Sequence, residues 1–196
     1  NRTEATFTKV DLSRFSKILL LPPASSVSGK IDGTITATAK KIFGTLELTE
    51  GGYSEPTGRY AAEHLGVGID FALLRGAIPT WHMKARWKKG AAYLDPFYIE
   101  SQGQGIEASG TVSDALLRVG QITIDDPGIG TVRGSIDWDL KKRAIRQGTV
   151  KSASIDLSRA APVAITPLLG PLGLKEMRFR GKTAFEVAFD AEGIAS

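Results

Sequence analysis

Long stretches of the chain alternate strictly between apolar and polar residues. The alternation runs over 27–39, 81–87 and 132–140, and shorter runs lie at 69–73 and 185–189. Successive side chains of a β-strand point to opposite faces, so a period of two predicts strands with one apolar and one wet face. The three- and four-residue spacing of an amphipathic helix fits none of these runs. The pattern therefore predicts an all-β protein.

Glycine- and proline-rich segments separate the runs and predict turns. These segments are 50–52, 55–58, 66–68, 89–90, 102–105 and 125–128. At one strand per ~10–15 residues they divide the chain into about ten or eleven strands, with no room for crossover helices. Because parallel strands need long connections, we expect a mainly antiparallel, meandering sheet.

Two segments interrupt the alternation and resemble each other. Residues 11–14 and 156–159 both read Asp-Leu-Ser-Arg. In each copy Asp or Ser can cap a helix of about one to three turns that a proline then ends. A strand is expected to follow, running in the second copy through Met177, Phe179 and Gly181. We interpret this as an internal repeat, with units beginning near 5–33 and 150–181 of one segment covering 1–196; the alternative is a chance match of two short strings.

Composition narrows the class of protein. The chain has 196 residues, 42% of them hydrophobic, and no cysteine, which excludes disulfides and zinc sites built on sulfur. No apolar stretch approaches the ~18 residues that span a bilayer. The net charge of +4 is spread along the chain rather than gathered into a basic patch with exposed aromatic residues, so no nucleic-acid partner is expected. The first residue is Asn1, so we expect a processed chain or a piece of a longer one.

The candidate chemical groups do not form a catalytic pattern. His64 and His82 have no neighbour in sequence that would orient or charge them, so both are interpreted as surface residues. Asp137 and Asp139 lie about 7 Å apart on one strand face, where they could hold a cation or act on a glycan, but that face is the solvated one. The glycines of 103–108 match a dinucleotide-binding pattern only loosely, because a strand rather than a helix follows. We expect no enzyme, no catalytic residue, no metal site and no cofactor.

Glycines occupy apolar-face positions inside the predicted strands. They are Gly29, Gly33, Gly44, Gly110, Gly134 and Gly181. Glycine in a strand marks a bend or the close approach of another group. One interpretation is ordinary sheet twist; the other is a sheet that curls sharply around something on its concave side.

These features together resemble the AsmA-like proteins of the Gram-negative envelope, which include the TamB, YhdP and YdbH types. The resemblance lies in the repeated helix-then-strand unit, the inner-face glycines, and segments such as 106–112 and 132–138, and it extends over about residues 5–190. It implies a strongly bent, taco-like antiparallel sheet that forms a long groove, with one or two short helices. It also implies a role in moving phospholipids between inner and outer membranes across the periplasm. Such proteins carry an inner-membrane anchor and many more residues, so the chain is expected to be a fragment.

On this interpretation the apolar face binds phospholipid acyl chains, and membrane contacts belong to other parts of a parent protein. Alternation does not distinguish an open groove from the filled core of a β-barrel or sandwich. A non-catalytic β-scaffold that binds other envelope proteins is therefore the alternative function. The predicted groove residues are Ile31, Ile35, Leu46, Ile69, Phe71, Trp81, Met83, Ile106, Val132, Ile136, Trp138, Phe179, Phe185 and Val187.

Overall fold

The computed structural model describes residues 2–15, 22, 24–142, 144–169, 172, 176–190 and 193–195. Within these ranges the chain forms one mainly antiparallel sheet of twelve strands. The first and last strands of the sheet do not pair with each other, so the sheet is open. The predicted all-β class, with a bent meandering sheet and short helices, is confirmed.

Eleven strands follow one another across the sheet in the order β1-β2-β3-β4-β5-β7-β8-β9-β10-β11-β12. Their bounds, with that of β6, are β1 Arg2–Asp11, β2 Ser26–Thr38, β3 Lys41–Ser54, β4 Tyr60–Leu74, β5 Thr80–Leu94, β6 Phe97–Glu100, β7 Gly105–Val112, β8 Leu116–Asp126, β9 Gly130–Asp139, β10 Ala144–Asp156, β11 Lys182–Asp190 and β12 Gly193–Ala195. Each strand on this path pairs antiparallel with its neighbour, as short connections require.

Strand β6 is the one departure from the meander. It pairs with the end of β5, Ala91 opposite Glu100, whereas β7 pairs with the beginning of β5, Thr80 opposite Thr111. Both lie on the side of β5 away from β4. Strand β6 therefore extends the sheet beyond the point where β7, β8 and β9 end.

Three of the predicted turns are wrong. Residues 50–52, 66–68 and 89–90 lie inside β3, β4 and β5, and the register shifts by one residue near each of them. The glycines there serve β-bulges, in which one extra residue bends the strand and increases its twist. Gly29, Glu50, His64 and Gly90 all have positive φ, and they form a line across β2 to β5 that we call the bulge seam.

The two Asp-Leu-Ser-Arg copies have the same local geometry. In each, a bulge precedes the aspartate, which pairs with a lysine: Asp11 with Lys30 and Asp156 with Lys182. In each, the serine amide two residues later donates to the aspartate Oδ1 at 2.9 Å. In the first copy, a 3₁₀ turn begins directly after the aspartate, at Leu12–Phe15, and most of the expected remainder of that helix lies outside the described residues. The shared geometry agrees with the internal repeat, which stays a prediction.

The second copy opens a longer helical segment. It consists of α1 (Leu157–Ala160), a π-helical stretch (Ala161–Ile165) and α2 (Thr166–Leu169). The expectation that a proline ends this helix is wrong, because Pro162 and Pro167 each lie at the second position of a new stretch. Proline is tolerated in a first turn, where its missing amide hydrogen costs little.

The strand predicted through Met177, Phe179 and Gly181 is also displaced. Residues 177–180 have no regular structure, and β11 begins only at Lys182. Gly181 has φ of 95°, so it turns the chain into β11 rather than extending a strand. Alternation alone cannot locate a strand end within a few residues.

Few side chains of the described residues are buried. The buried hydrophobic residues are Ala91, Ala108, Ile155, Ala160 and Ala161, and none of the large side chains is fully enclosed. Three of these five, Ile155, Ala160 and Ala161, lie where the helical segment leaves β10. No helix in the described ranges is long and apolar enough to cross a bilayer.

Candidate functional site

One face of the sheet is apolar across most of its strands. Directly paired residues of antiparallel strands share a face, so the register identifies rows of side chains across the sheet. One such row crosses every strand from β2 to β11 except β6 and contains no polar side chain. It consists of Ala37, Ile42, Leu73, Trp81, Gly110, Val119, Ile136, Gly148 and Phe189. We call this side the apolar face.

The apolar face brings together all of the predicted groove residues except Phe179. A second row contains Gly33, Leu46, Ile69, Ala85, Ile106, Ile124 and Val132, and the remaining predicted residues lie in rows beside these two. Phe179 lies in the segment before β11 and pairs with no strand. Ile42, Val119 and Ile124 also lie on this face but are not among the predicted groove residues. Each of them belongs to a run that alternates with a period of two, and this pattern would have predicted their position.

The face also continues past the bulge seam. Val27 lies on the same side of β2 as Ile31, and it begins a short row through Tyr53, Ala62, Ala92 and Ile99. This extension was hidden from sequence analysis because the bulges at Glu50 and His64 interrupt the alternation there.

Side chains of the apolar face remain accessible to solvent. Ile31, Ile69, Phe71 and Ile136 are each only partly buried, and Val187 is 36% exposed. A core residue packed against a second layer would be nearly inaccessible. Among the described residues, no second sheet covers this face.

The glycines of the apolar face mark close backbone approaches. A Cβ on Gly134 would lie 2.5 Å from the carbonyl oxygen of Thr149, and one on Gly33 would meet the carbonyl oxygen of Thr45. In a flat sheet a Cβ points away from the neighbouring backbone, so these contacts require the adjacent strand to fold toward the apolar side. The glycines therefore permit a bend that makes the apolar side concave.

The opposite face is charged. One of its rows reads Thr34, Thr45, Asp70, Lys84, Glu107, Thr123, Arg133, Lys151 and Glu186. A depression of about 580 Å³ around Gly68 is lined mainly by residues of this face, together with some of the second apolar row, such as Ile69. Lys88 Nζ lies 2.7 Å from the Glu47 carboxylate at its rim, and Lys84 Nζ lies 3.4 Å from that of Glu107. Charges paired with each other in this way contribute little stability and leave this face hydrated.

Both histidines have carboxylate partners on neighbouring strands. His82 Nε2 lies 2.9 Å from Glu107 Oε1, and His64 Nδ1 lies 2.9 Å from Glu50 Oε2. Lys89 also contacts Glu50, and its hydrogen bond, followed by that of His64, lowers the pKa of Glu50 to about 2. Sequence analysis found no partner for either histidine because the partners come from adjacent strands.

The two aspartates considered as a cation or glycan site do different things. Asp137 accepts from Arg118 Nε at 3.1 Å and from Gln147 Nε2 at 3.0 Å. Asp139 accepts the backbone amides of Lys141 and Lys142, and those hydrogen bonds lower its pKa. Within the described residues, no three histidine or carboxylate side chains converge closely enough to hold a metal ion.

In comparisons with known proteins, no family model, no curated protein and no solved structure matches the chain.

Proposed function

We propose that the chain is a lipid-binding module whose apolar face carries phospholipid acyl chains along an open trough. The observation that carries this proposal is a row of apolar side chains and glycines that continues from β2 to β11 while its large side chains remain partly exposed. In a filled core the apolar side chains would not be exposed, and in an ordinary polar surface the row would not be continuously apolar.

The free energy of transferring an acyl chain from a bilayer into water explains why such a trough would be needed. Each methylene exposed to water costs ~0.8 kcal/mol, so a long acyl chain does not cross an aqueous gap at a useful rate. A continuous apolar trough replaces the bilayer contacts of the chain as it leaves the membrane. Movement along the trough then proceeds over a nearly flat free-energy profile, while the polar head stays in water.

In the wider proposal the chain is a segment of an AsmA-like protein that moves phospholipid between the inner and outer membranes of a Gram-negative cell. It acts in the periplasm, and other parts of the parent protein contact the membranes. The support for this assignment is the bent antiparallel sheet, the apolar-face glycines and the paired Asp-Leu-Ser-Arg copies. The module acts by binding and has no catalytic step.

The alternative is a β-scaffold that binds another envelope protein. The observation that favours it is the outer edge of β1, where the amides and carbonyls of Arg2–Asp11 that face away from β2 have no partner strand in the described residues. Such an edge can accept a strand from another protein.

The tryptophans offer a direct test of lipid binding. The protein has three, Trp81, Trp87 and Trp138, and each pairs with an aliphatic residue of the apolar face. A phospholipid brominated on its acyl chains quenches tryptophan fluorescence on contact. We expect quenching of all three in single-tryptophan variants, together with phospholipid in an organic extract of the purified chain.

A matched control comes from the residue next to Trp81. His82 lies on the opposite face, paired with Ala72 and Ser109. In a chain whose native tryptophans are replaced by phenylalanine, His82→Trp is expected to escape quenching. Equal quenching at positions 81 and 82, or none at any position, would contradict the proposed function and leave the scaffold alternative.

A further inference from the structure

A notch interrupts the sheet next to β6. On the side nearest β6, the strands β7, β8 and β9 reach only as far as Gly105, Asp126 and Gly130. Strand β6 extends beyond this line. The helical segment after β10 contacts β6 from the other side of the gap. The resulting cavity of about 570 Å³ is bounded by β6, the β8–β9 turn and the helical segment. We call this cavity the notch.

The notch combines an apolar part with three charged side chains, Arg159, Glu100 and Asp126. Ile99, Ile129 and Val163 line it and are partly buried. Ile99 belongs both to the lining of the notch and to the apolar face, so it lies where the two meet. Arg159 contributes a guanidinium from α1, and Glu100 contributes a carboxylate from β6.

One carboxylate of the notch, that of Asp126, is already satisfied by hydrogen bonds. Gln104, only 5% exposed, donates to Asp126 Oδ2 at 2.9 Å and to the Glu100 carbonyl at 3.2 Å. The other oxygen, Oδ1, accepts the amides of Gly128 and Ile129 at 2.8 and 2.9 Å. Asp126 therefore holds the β8–β9 turn in place and has little capacity left for a ligand.

Arg159 and Glu100, by contrast, retain binding capacity. A Cβ on Gly128 would lie 3.5 Å from Arg159 Nη1, so the guanidinium lies over the turn. Its side chain donates no hydrogen bond within the described part of the chain. Its charge lies near Asp156, whose pKa is lowered mainly by the hydrogen bonds from Ser158 and to a smaller extent by Arg159. Glu100 accepts one hydrogen bond, from the Tyr98 hydroxyl at 3.3 Å. A guanidinium binds phosphate through paired hydrogen bonds, and a carboxylate beside a tyrosine ring suits an ammonium group.

We propose that the notch binds the zwitterionic headgroup of a phosphoethanolamine lipid, with its phosphate on Arg159, its ammonium on Glu100 and its acyl chains leading over Ile99 into the trough. This proposal rests on the proposed function and adds a headgroup preference and a side entrance to it. A purely anionic headgroup would place its negative charge near Glu100 without an ammonium group to compensate the carboxylate. Free phosphoethanolamine carries the same phosphate and ammonium groups, but it has no acyl chains to contact Ile99.

Calorimetry with the purified chain tests the proposal, using dihexanoyl phosphatidylethanolamine, dihexanoyl phosphatidylglycerol and free phosphoethanolamine as probes. We expect the ethanolamine lipid to bind about tenfold more tightly than the glycerol lipid, and free phosphoethanolamine to bind more weakly than either. Arg159→Gln is expected to weaken the ethanolamine lipid about tenfold, and Arg159→Lys to restore part of the loss. Glu100→Gln is expected to remove the preference between the two lipids.

Arg14 provides the matched control, since it holds the same place in the first Asp-Leu-Ser-Arg copy and does not line the notch. Arg14→Gln is expected to leave both affinities unchanged. Circular dichroism verifies the fold of each variant, and amide shifts of Gly128 and Ile129 in the unaltered chain report occupancy without any substitution. Equal affinity for the two lipids, equal losses in Arg14→Gln and Arg159→Gln, or unshifted amides at saturation would overturn the headgroup site. If the headgroup site fails but brominated acyl chains still quench the tryptophans, the proposed lipid binding by the apolar face still stands. If they do not quench, both proposals are wrong.

Discussion

Glu50 and His64, 14 residues apart on adjacent strands, both have positive φ, 50° and 51°, and their side chains meet across the bulge seam. Non-glycine residues rarely adopt this backbone conformation, and it costs free energy wherever it occurs. Lys89 of β5 contacts the same Glu50 carboxylate. Three neighbouring strands are thus linked by one carboxylate at the line where each of them bends.

This linkage predicts the ionisation of Glu50. Lys89 and His64 lower its pKa from the ordinary 4.5 to about 2. A carboxylate whose pKa falls on folding stabilises the fold above its unfolded pKa, and that contribution is lost as the pH drops from about 4.5 toward about 2. In Lys89→Met we expect the Glu50 pKa to rise toward 4.5, as followed by carbon-13 NMR of the side-chain carboxyl.

Lys88→Met is the control for that titration, because Lys88 pairs with Glu47 instead. It is expected to leave the Glu50 pKa in place. A Glu50 pKa near 4.5 in the unaltered chain would show that the three side chains do not meet in solution.

The bend of the sheet predicts unequal tolerance of two neighbouring glycines. A Cβ on Gly110 would meet the carbonyl oxygen of Arg118 and approach Val119 Cα at 3.1 Å, whereas one on Gly120 would find its nearest atom 4.0 Å away. We expect Gly110→Ala to reduce the free energy of unfolding by about 1–3 kcal/mol. Gly120→Ala is expected to change it by less than about 1 kcal/mol. Urea unfolding measures both, and equal losses would argue against a sharp bend at Gly110.

The faces of the sheet were predictable from sequence, while the bends were not. Strict alternation over residues such as Trp81–Trp87 determines which side chains share a face, and the register bears this out. Glycine has the same sequence signature in a turn and in a bulge, so Gly51 and Gly90 were read as chain reversals. Which one forms depends on whether the neighbouring strand continues, and that is a tertiary property.

The notch was also beyond sequence reasoning. Its side chains come from β6, the β6–β7 connection, the β8–β9 turn and the helical segment, and Arg159 is more than 50 residues from Glu100. In the sequence, Arg159 stands out only as part of a repeated string. Its second copy, Arg14, has the same neighbours in sequence but lines no part of the notch. Position in the sheet therefore separates two residues that the sequence makes look alike.

An open trough predicts a contrast between two isoleucines. Ile155, 8% exposed, packs where the helical segment joins β10, while Ile69 lies partly exposed on the apolar face. We expect Ile155→Ala to cost about 2–5 kcal/mol of unfolding free energy, and Ile69→Ala to cost about 1 kcal/mol or less, because its site is not enclosed. Thermal and urea unfolding measure the difference. If Ile69→Ala were as costly as Ile155→Ala, the apolar face would be a packed core.

A charge placed in the trough should obstruct a lipid without harming the sheet. Ile122 lies on the apolar face, paired with Ala108 and Gly134, and the adjacent Gln121 lies on the charged face, paired with Ser109. An acyl chain passing an ionised carboxylate must either strip its water or leave the trough, and both cost free energy. We expect Ile122→Asp to lower the rate of phospholipid transfer between donor and acceptor vesicles at least tenfold, with Gln121→Asp close to the unaltered chain. Far-UV circular dichroism shows whether each variant is folded. Transfer that is equally fast in both variants, or equally slow in both, would mean that lipid does not follow the apolar face.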